Sequence, residues 1–489
     1  MDQLQTTPLG QKGPNGAGQR IYERLRSQIE DGTLPLGSKA PSTRALAAEL
    51  SVSRTTVTSA YEQLIAEGYL ASMPGKVARV ASAQDFPATT NTLPVQSNAP
   101  RLSSFAKRVM FTHPSSLQGD APPIDFLYGA VALRNFPLNA WRRAYVSEIL
   151  RHQTQLNYAL PEGELKLRQV LQAYLGRARG LNCTADQIVI VNGATQALDL
   201  CARVLLDPSD AFAFEEPGYV TARRSLEATG AHRMAVPVDA NGLDTSRLPE
   251  THRARLVYVT PSHQFPLGGV LPIGRRLELL GWANRHDAWI IEDDYDGEFR
   301  YGQRPIDALQ SIDSQGRVIY VGTFSKALSP QLRLGYLVLP HRLIDVFRQT
   351  KRLTDHHAPV LEQRTLASLI ADGTYERHIR RVRRDYDRKR SALMDAVSRY
   401  LPVGAAIGGA DAGLHVTLWL PQFQPEDENR IAEAARMKGV GVYPVSPLFA
   451  DSVHFFGPRP AGLILGYASL SIEQIQKGIR VLASTIVHS

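Results

Sequence analysis

Lys326 sits on a turn between two apolar runs, in Val321-Gly-Thr-Phe-Ser-Lys-Ala-Leu-Ser-Pro-Gln-Leu-Arg-Leu-Gly-Tyr336. A lysine amine can condense with an aldehyde to form a Schiff base, and small hydroxyl residues beside it can donate to a phosphate. Thr323 and Ser325 supply those hydroxyls, and Arg333 follows with a planar fork of fixed charge suited to phosphate. By itself a Lys next to a Ser is an ordinary surface pair. Four further stretches give it weight. Val191-Asn-Gly-Ala-Thr-Gln-Ala-Leu198 reads as a strand turning through glycine into a helix, so the amides of Ala194 and Thr195 make an anion site. Glu215-Glu-Pro-Gly-Tyr219 displays an aromatic ring after a Pro-Gly turn, able to stack on a flat heterocycle. Thr260-Pro-Ser-His-Gln-Phe-Pro-Leu-Gly268 is a polar, proline-rich loop in which His263 is by default a satisfied loop residue. In Ile290-Ile-Glu-Asp-Asp-Tyr-Asp-Gly297 one carboxylate can hold a pyridine nitrogen protonated, while the remaining acids are solvated or orient it.

Those stretches need a scaffold that brings them together. From Ile124 onward, short β-branched runs alternate with helical stretches: 187–191, 211–214, 256–259, 289–291, 318–321 and 335–339. Continuous apolar strands separated by helices imply a buried, mainly parallel sheet, whose strand ends collect ligands. The basic run 378–390 carries Ile379, Val382 and Tyr386 at helical spacing, so its arginines form the wet face of a long helix leading into a small C-terminal domain. Asp411 to Leu420 and a final helix with Ile472, Ile475, Ile479 and Leu482 inward belong to that domain.

The N-terminal part has a different grammar. Gln19 to Glu30 carries Ile21, Leu25 and Ile29 at helical spacing, stopped by Asp31-Gly32. Ser42 is placed to cap a second helix with Leu46 and Leu50 inward. Arg54 opens a third helix with Val57, Tyr61, Leu64 and Ile65 as its buried stripe, and two strands around a Pro-Gly turn follow. Helices joined by a tight turn make a helix-turn-helix, and Ser53-Arg-Thr-Thr56 at the third helix start are types that reach phosphates and base edges. Residues 82–120 are rich in Ser, Thr, Pro, Asn and Ala and read as a linker, with a short helix over 105–111.

Leu34-Pro-Leu-Gly-Ser-Lys-Ala-Pro-Ser-Thr-Arg44, Val52-Ser-Arg-Thr-Thr-Val57 and Leu64-Ile-Ala-Glu-Gly-Tyr-Leu70 resemble the winged helix-turn-helix of GntR regulators. That resemblance makes Arg44, Ser53, Arg54, Thr55 and Thr56 the DNA contacts. It departs at the wing, where the second glycine is replaced around Lys76-Val77-Ala78, and Lys76 is left as a phosphate contact. The order of the five later stretches resembles fold type I pyridoxal-phosphate enzymes, and the two together resemble the MocR/GabR group of GntR regulators. Phe136-Pro-Leu-Asn-Ala-Trp-Arg142, Tyr158-Ala-Leu-Pro-Glu-Gly163 and Ala412-Gly-Leu-His415 match as well. The resemblance implies roles residue by residue. Lys326 forms the Schiff base with pyridoxal 5'-phosphate, Asp293 pairs with the pyridine nitrogen, Tyr295 bonds the ring hydroxyl and Tyr219 stacks on the ring. Ala194, Thr195, Thr323, Ser325 and Arg333 hold the phosphate, and Tyr158 reaches the phosphate of a partner subunit, which implies a homodimer. Two departures bear on chemistry. Phe265-Pro-Leu-Gly268 stands where aminotransferases have Asn-Pro-Thr-Gly, and Leu463-Ile-Leu-Gly-Tyr467 stands where they place an arginine for the substrate carboxylate. Arg459 is the substitute to weigh.

The expected architecture is multidomain. A flexible start, 1–18, precedes a winged helix-turn-helix (α+β) over 19–81 and the linker 82–120. Residues 121–489 form an α/β PLP-dependent transferase fold type I, with a small C-terminal α+β subdomain from about residue 370. At 489 residues the chain exceeds one ordinary core. The net charge of +8 and pI near 9.4 are compatible with a polyanion, yet residues 1–81 carry nine Lys/Arg against seven Asp/Glu, so DNA binding rests on pattern, not field. No apolar run reaches the roughly 18 residues that span a bilayer, no signal peptide is recognisable, and a cytoplasmic location is expected. Cys183 and Cys201 are read as small buried apolar residues, not metal ligands or a disulfide. The expected function is a regulator that binds operator double-stranded DNA and senses an amine or amino-acid effector, or the cofactor itself. The alternative is an active aminotransferase with an accessory DNA-binding module.

Overall fold

The computed structural model describes residues 16–72, 77–81, 100–110, 121–152, 157–250, 253–302, 306–450 and 459–487. They belong to two compact units, residues 1–101 and 102–489.

In the first unit, α1 (Ala17–Glu30) buries Ile21, Tyr22, Leu25 and Ile29 on one stripe. In α2 (Thr43–Glu49) the Ser42 hydroxyl accepts from the Ala45 amide at 3.1 Å. In α3 (Arg54–Ala66) the Ser53 hydroxyl accepts from the Thr56 amide at 3.1 Å. Both serines satisfy amides that a helix start otherwise leaves without partners. Val57, Ala60, Tyr61 and Leu64 fill the core between α1 and α2, and the Tyr61 hydroxyl donates to the Pro41 carbonyl at 2.7 Å. Ile65 departs from expectation: it is exposed, because Leu64 one position earlier already occupies the inward face. β1 (Leu70–Ala71) and β2 (Arg79–Val80) pair antiparallel as a wing. The segment before α2 joins them, with Ala40 donating to Ala78 O and Val80 to Ser38 O, each at 2.9 Å. Lys76 lies outside the described residues.

The second unit begins with α4 (Ser104–Met110), on which Arg108 donates to the carbonyls of Ala228 and Thr229 at 2.8 and 2.9 Å. β3 (Ile124–Asp125), α5 (Leu138–Ile149), α6 (Leu165–Arg179), β4 (Ile188–Val191) and α7 (Ala194–Leu205) follow. Then come β5 (Ala211–Glu216), α8 (Val220–Glu227), β6 (His232–Asp239), β7 (Gly242–Leu243), β8 (Ala254–Val259) and α9 (Ile273–Arg285). β9 (Trp289–Asp294), β10 (Val318–Thr323) and β11 (Gly335–Val338) complete a sheet of order β4-β11-β10-β9-β8-β5-β6-β7. It is parallel except for β11 and the edge strand β7, and its central strands are buried on both faces, which is why they read as unbroken apolar runs.

α10 (Ile344–Asp355), α11 (Val360–Ala371) and α12 (Thr374–Tyr400) lead to the C-terminal part. α12 buries Ile379, Val382 and Tyr386 and leaves Arg380, Arg381, Arg384 and Arg388 exposed. Lys389 departs from the wet face: it is buried, 3.2 Å from Asp385. β12 (Ala406–Gly408), β13 (His415–Leu420), α13 (Asp427–Met437), β14 (Val440–Gly441), β15 (Tyr443–Pro444), β16 (Ala461–Gly466) and α14 (Ile472–Val487) complete the chain. A small antiparallel sheet runs β12-β13-β16-β15, while β14 pairs in parallel with β3. On α14, Ile475, Ile479 and Leu482 are buried but Ile472 is exposed in the first turn. Both cysteines are free and buried, and burial pushes the Cys183 thiol up to about 11. No described helix is long and apolar enough to cross a membrane.

Candidate functional site

Parallel pairing sets Val321 opposite Asp293, so the turn after β10 and the carboxylates at the end of β9 emerge side by side. They open into a cavity of about 290 Å³. Lys326 reaches its floor, with Nζ donating to the Gly129 carbonyl at 2.8 Å. Gly129 has φ +79, and a Cβ there would lie 2.6 Å from Nζ, so only glycine leaves the lysine its place. Burial holds the Lys326 amine below its usual range, opposed by Asp296 and Asp293. A readily deprotonated amine is what attack on a carbonyl requires.

Asp293 is 4% exposed. Its Oδ2 accepts from the Tyr258 hydroxyl at 2.7 Å, and its Oδ1 is buried without a partner. Burial pushes this carboxyl up to about 7, against the Tyr258 bond that lowers it. An orphaned buried carboxylate oxygen costs free energy that an N–H donor placed there recovers.

The opposite end is built for an anion. α7 starts at Gly193, φ +79, with no side chain capping it, so the amides of Ala194 and Thr195 open the helix. Arg333, in the left-handed region at φ 50, donates to the Asn192 carbonyl at 2.9 Å; a Cβ on Gly193 would lie 2.6 Å from its guanidinium. The Thr323 hydroxyl donates to Ser325 Oγ at 3.0 Å. Ala194, Thr195, Thr323, Ser325 and Arg333 all border the cavity. A lysine amine, an orphaned carboxylate oxygen and an uncapped helix start with an arginine fit a pyridine ring that carries an aldehyde and a phosphate.

The wall contains Tyr219, which meets Phe265 edge-on at 5.9 Å, and Tyr295, whose hydroxyl lies 3.0 Å from His263 Nδ1. Tyr128, Gly129, Tyr258, Thr260, Phe265, Asp296, Pro330, Leu414 and His415 also line it. None of these nine carries a cofactor or effector role in the sequence reading, although Thr260, Phe265, Asp296, Pro330, Leu414 and His415 sit in motifs quoted there. His263 is more than a satisfied loop residue: it is buried and bridges Tyr295 and Asp296. The acids beside Asp293 are not solvated. Glu292 accepts from the amides of Leu309 and Gln310, at 2.7 and 2.9 Å, and Asp294 pairs with Arg179 at 2.6 Å.

Tyr158 lies outside this cavity, 79% exposed and stacked on His356 at 4.7 Å. Arg459 does not line the cavity either: it donates to the buried Glu428 at 2.7 Å and to Ser446 at 2.6 Å, which uses its guanidinium structurally. Ile464, at the position of the missing arginine, is fully buried in an apolar cluster with Phe265, Val445 and Leu448.

On the first unit, Arg44 and Arg54 are exposed at the starts of α2 and α3, with Thr55 exposed beside Arg54. Ser53 and Thr56 are partly engaged with each other, hydroxyl to hydroxyl at 2.7 Å.

Two family models match, the bacterial regulatory proteins of the gntR family over residues 17–80 and aminotransferase class I and II over 124–476. The chain is similar to the probable rhizopine catabolism regulatory protein MocR of Rhizobium meliloti, 36% identical over 96% of this chain and 93% of that protein. It is similar to the pyridoxine biosynthesis transcriptional regulator PdxR of Corynebacterium glutamicum, 30% identical over 93% of each chain. Among solved structures it resembles a multiple substrate aminotransferase of Thermococcus profundus, 28% identical, TM-score 0.71, over 78% of this chain and 97% of that one. With a GntR helix-turn-helix joined to an aminotransferase class I and II domain, and full-length similarity to such regulators, the chain belongs to the MocR/GabR subfamily of GntR-type transcriptional regulators.

Proposed function

We propose that this regulator binds operator DNA through α3 and uses the cavity at Lys326 as a pyridoxal-phosphate-dependent sensor of an amine. The observation that carries the reading is the orphaned Oδ1 of Asp293, a residue that lines the same cavity as Lys326 and Arg333. Bound pyridoxal phosphate supplies an aldehyde carbon that can exchange one amine for another. Lys326 is the amine at that carbon, Asp293 holds the pyridine nitrogen, and Tyr219 covers the ring. Ala194, Thr195, Thr323, Ser325 and Arg333 hold the phosphate, and Tyr295, steadied by His263, faces the ring hydroxyl. Arg44, Arg54, Thr55 and Thr56 contact DNA, while Ser53 acts mainly as the cap that orders the start of α3. The exposed apolar side chains Leu133, Leu138, Leu150 and Leu353 support a homodimer.

A signal requires that the effector bind one conformation better than the other. The test is operator binding by the full chain, with and without pyridoxal phosphate, across a panel of amines and amino acids, repeated on Lys326→Ala. The reading expects an absorbance band that Lys326→Ala abolishes, and an operator affinity that responds to an amine only in the unaltered protein. Operator affinity indifferent to cofactor and amine alike sinks it. Retention of the full lysine, aspartate and arginine set favours the second reading, an active aminotransferase; sustained conversion of an amino acid with a keto acid would establish it.

A further inference from the structure

We propose that the cavity selects amines that carry no carboxylate and that place a second donor, an ammonium or a hydroxyl, against Asp296. This rests on the sensor reading above and names its effector class. Four charged side chains line the cavity among the described residues: Asp293, Asp296, Lys326 and Arg333. Three of them fit parts of the cofactor, and Asp296 does not.

Asp296 is buried, 1% exposed, and its Oδ2 lies 3.0 Å from His263 Nδ1. A carboxylate only accepts, so Nδ1 carries the proton and His263 Nε2 becomes an acceptor, buried and without a partner. His415 stands beside this pair, its ring 5.2 Å from that of His263. Its Nε2 donates to the Pro266 carbonyl at 3.1 Å, leaving its Nδ1 as an acceptor. Burial keeps His415 neutral, pushed down to about 3. This wall therefore offers the Asp296 carboxylate and His415 Nδ1 as acceptors to the cavity, while the N–H donors of His263 and His415 are already turned toward Asp296 and Pro266 and the Tyr295 hydroxyl lies against His263 Nδ1.

Among the described residues lining the cavity, no cation is left over for a carboxylate on the ligand. Arg333 is at the opposite, anion-binding end, Arg459 is paired with Glu428, and the Ile464 position is sealed into the apolar cluster with Phe265. Against Asp296 such a ligand places like charges together in a dry site, where they repel more strongly than in water. An ammonium or hydroxyl there completes hydrogen bonds that the wall lacks. Tyr128, Tyr219, Phe265 and Leu414 leave room along an apolar path for the methylenes between the two ends.

The experiment titrates the full chain, loaded with pyridoxal phosphate, with diaminobutane, aminobutanol, butylamine and aminobutanoate at one ionic strength. Binding is read by the cofactor absorbance and, independently, by the thermal shift of the protein. Expected half-saturating concentrations for diaminobutane and aminobutanol lie at least about tenfold below those for butylamine and aminobutanoate, and Asp296→Asn closes the gap for the diamine. Aminobutanoate binding as tightly as diaminobutane overturns the proposal, as does a gap that survives Asp296→Asn. If that variant does not fold, the ligand comparison on the unaltered protein decides. A normal cofactor band with no gap overturns this proposal alone; absence of any band overturns the sensor reading with it.

Discussion

Replacing Asp293 by Asn removes a buried charge of which one oxygen, Oδ1, has no partner in the cofactor-free site. Its carboxyl, ordinarily at 3.8, is pushed up to about 7, chiefly by burial. The unfolded chain loses this proton near pH 4, whereas the folded chain keeps it until about pH 7, so between those values the native state binds more protons and stability falls as pH rises. Three units at 1.36 kcal/mol each put the full cost at about 4 kcal/mol above neutrality. The amide keeps an oxygen for the 2.7 Å bond from Tyr258 and exchanges an unpartnered oxygen for an unpartnered NH2, so loss of charge is the main difference. Calorimetry on cofactor-stripped protein should show Asp293→Asn melting roughly 4–8 °C above the unaltered chain at pH about 8, with the advantage shrinking toward pH 4. Added pyridoxal phosphate should reverse the order, because the variant lacks the anion that holds the pyridinium and gains less from RT ln(1 + [L]/Kd). Two proteins that melt together at every pH without cofactor would refute the assignment of a costly buried charge. An unreversed order with cofactor would refute its role toward the ring.

The DNA-reading face makes separable predictions. Arg54→Ala should weaken operator binding by about 1–3 kcal/mol and lower its salt dependence by roughly one ion, with the circular dichroism unchanged; unaltered binding refutes the contact. Ser53→Ala loses the cap on the Thr56 amide and should destabilise the first unit by about 1 kcal/mol, read as a lower melting temperature of that unit. Gly413→Ala tests the packing of the cavity wall. Gly413 has φ +77, and its added Cβ would collide with the His263 ring and the Asp296 carboxylate. A cost of at least about 1–2 kcal/mol is expected from the backbone alone, together with weaker cofactor retention. A variant as stable and as strongly absorbing as the parent would contradict that close approach.

How much was legible in the sequence follows from how local each signal is. The central strands were readable because burial on both faces leaves continuous apolar runs such as Ile188–Val191. Strand β6, His232–Asp239, next to the short edge strand β7, was missed because its residues are mostly half-buried and include Arg233 and Pro237. The helix starts at Ser42 and Ser53 were readable because capping is a matter of three residues. Whether Asp294 was solvated or orienting stayed open in the sequence because its partner, Arg179, lies 115 residues away, and Gly129 meets Lys326 across 197 residues. Ile65 shows the limit of periodicity, which gives a stripe but not which of two adjacent apolar residues faces inward, and Ile472, in the first turn of α14, shows that a stripe can run past the end of the core it packs on.

The antiparallel strand β11 explains why a lysine on one turn and an anion site on another form a single cavity. Gly335 pairs with Thr323 on one side and with Val191 on the other, so the ends of β10 and β4 are held one strand apart. A Cβ at Gly335 would lie 2.9 Å from Gly322 O and 3.1 Å from Gly193 Cα, so this spacing tolerates no side chain. Arg333, two residues earlier and bent into the left-handed region, then reaches back over Gly193. The chain from Thr323 to Gly335 therefore carries the lysine, the hydroxyls and the arginine in one excursion and returns them to the sheet beside α7. This is why the residues around Lys326 are not an ordinary surface pair: their spacing matches the distance between two sheet strands, with the cavity between them.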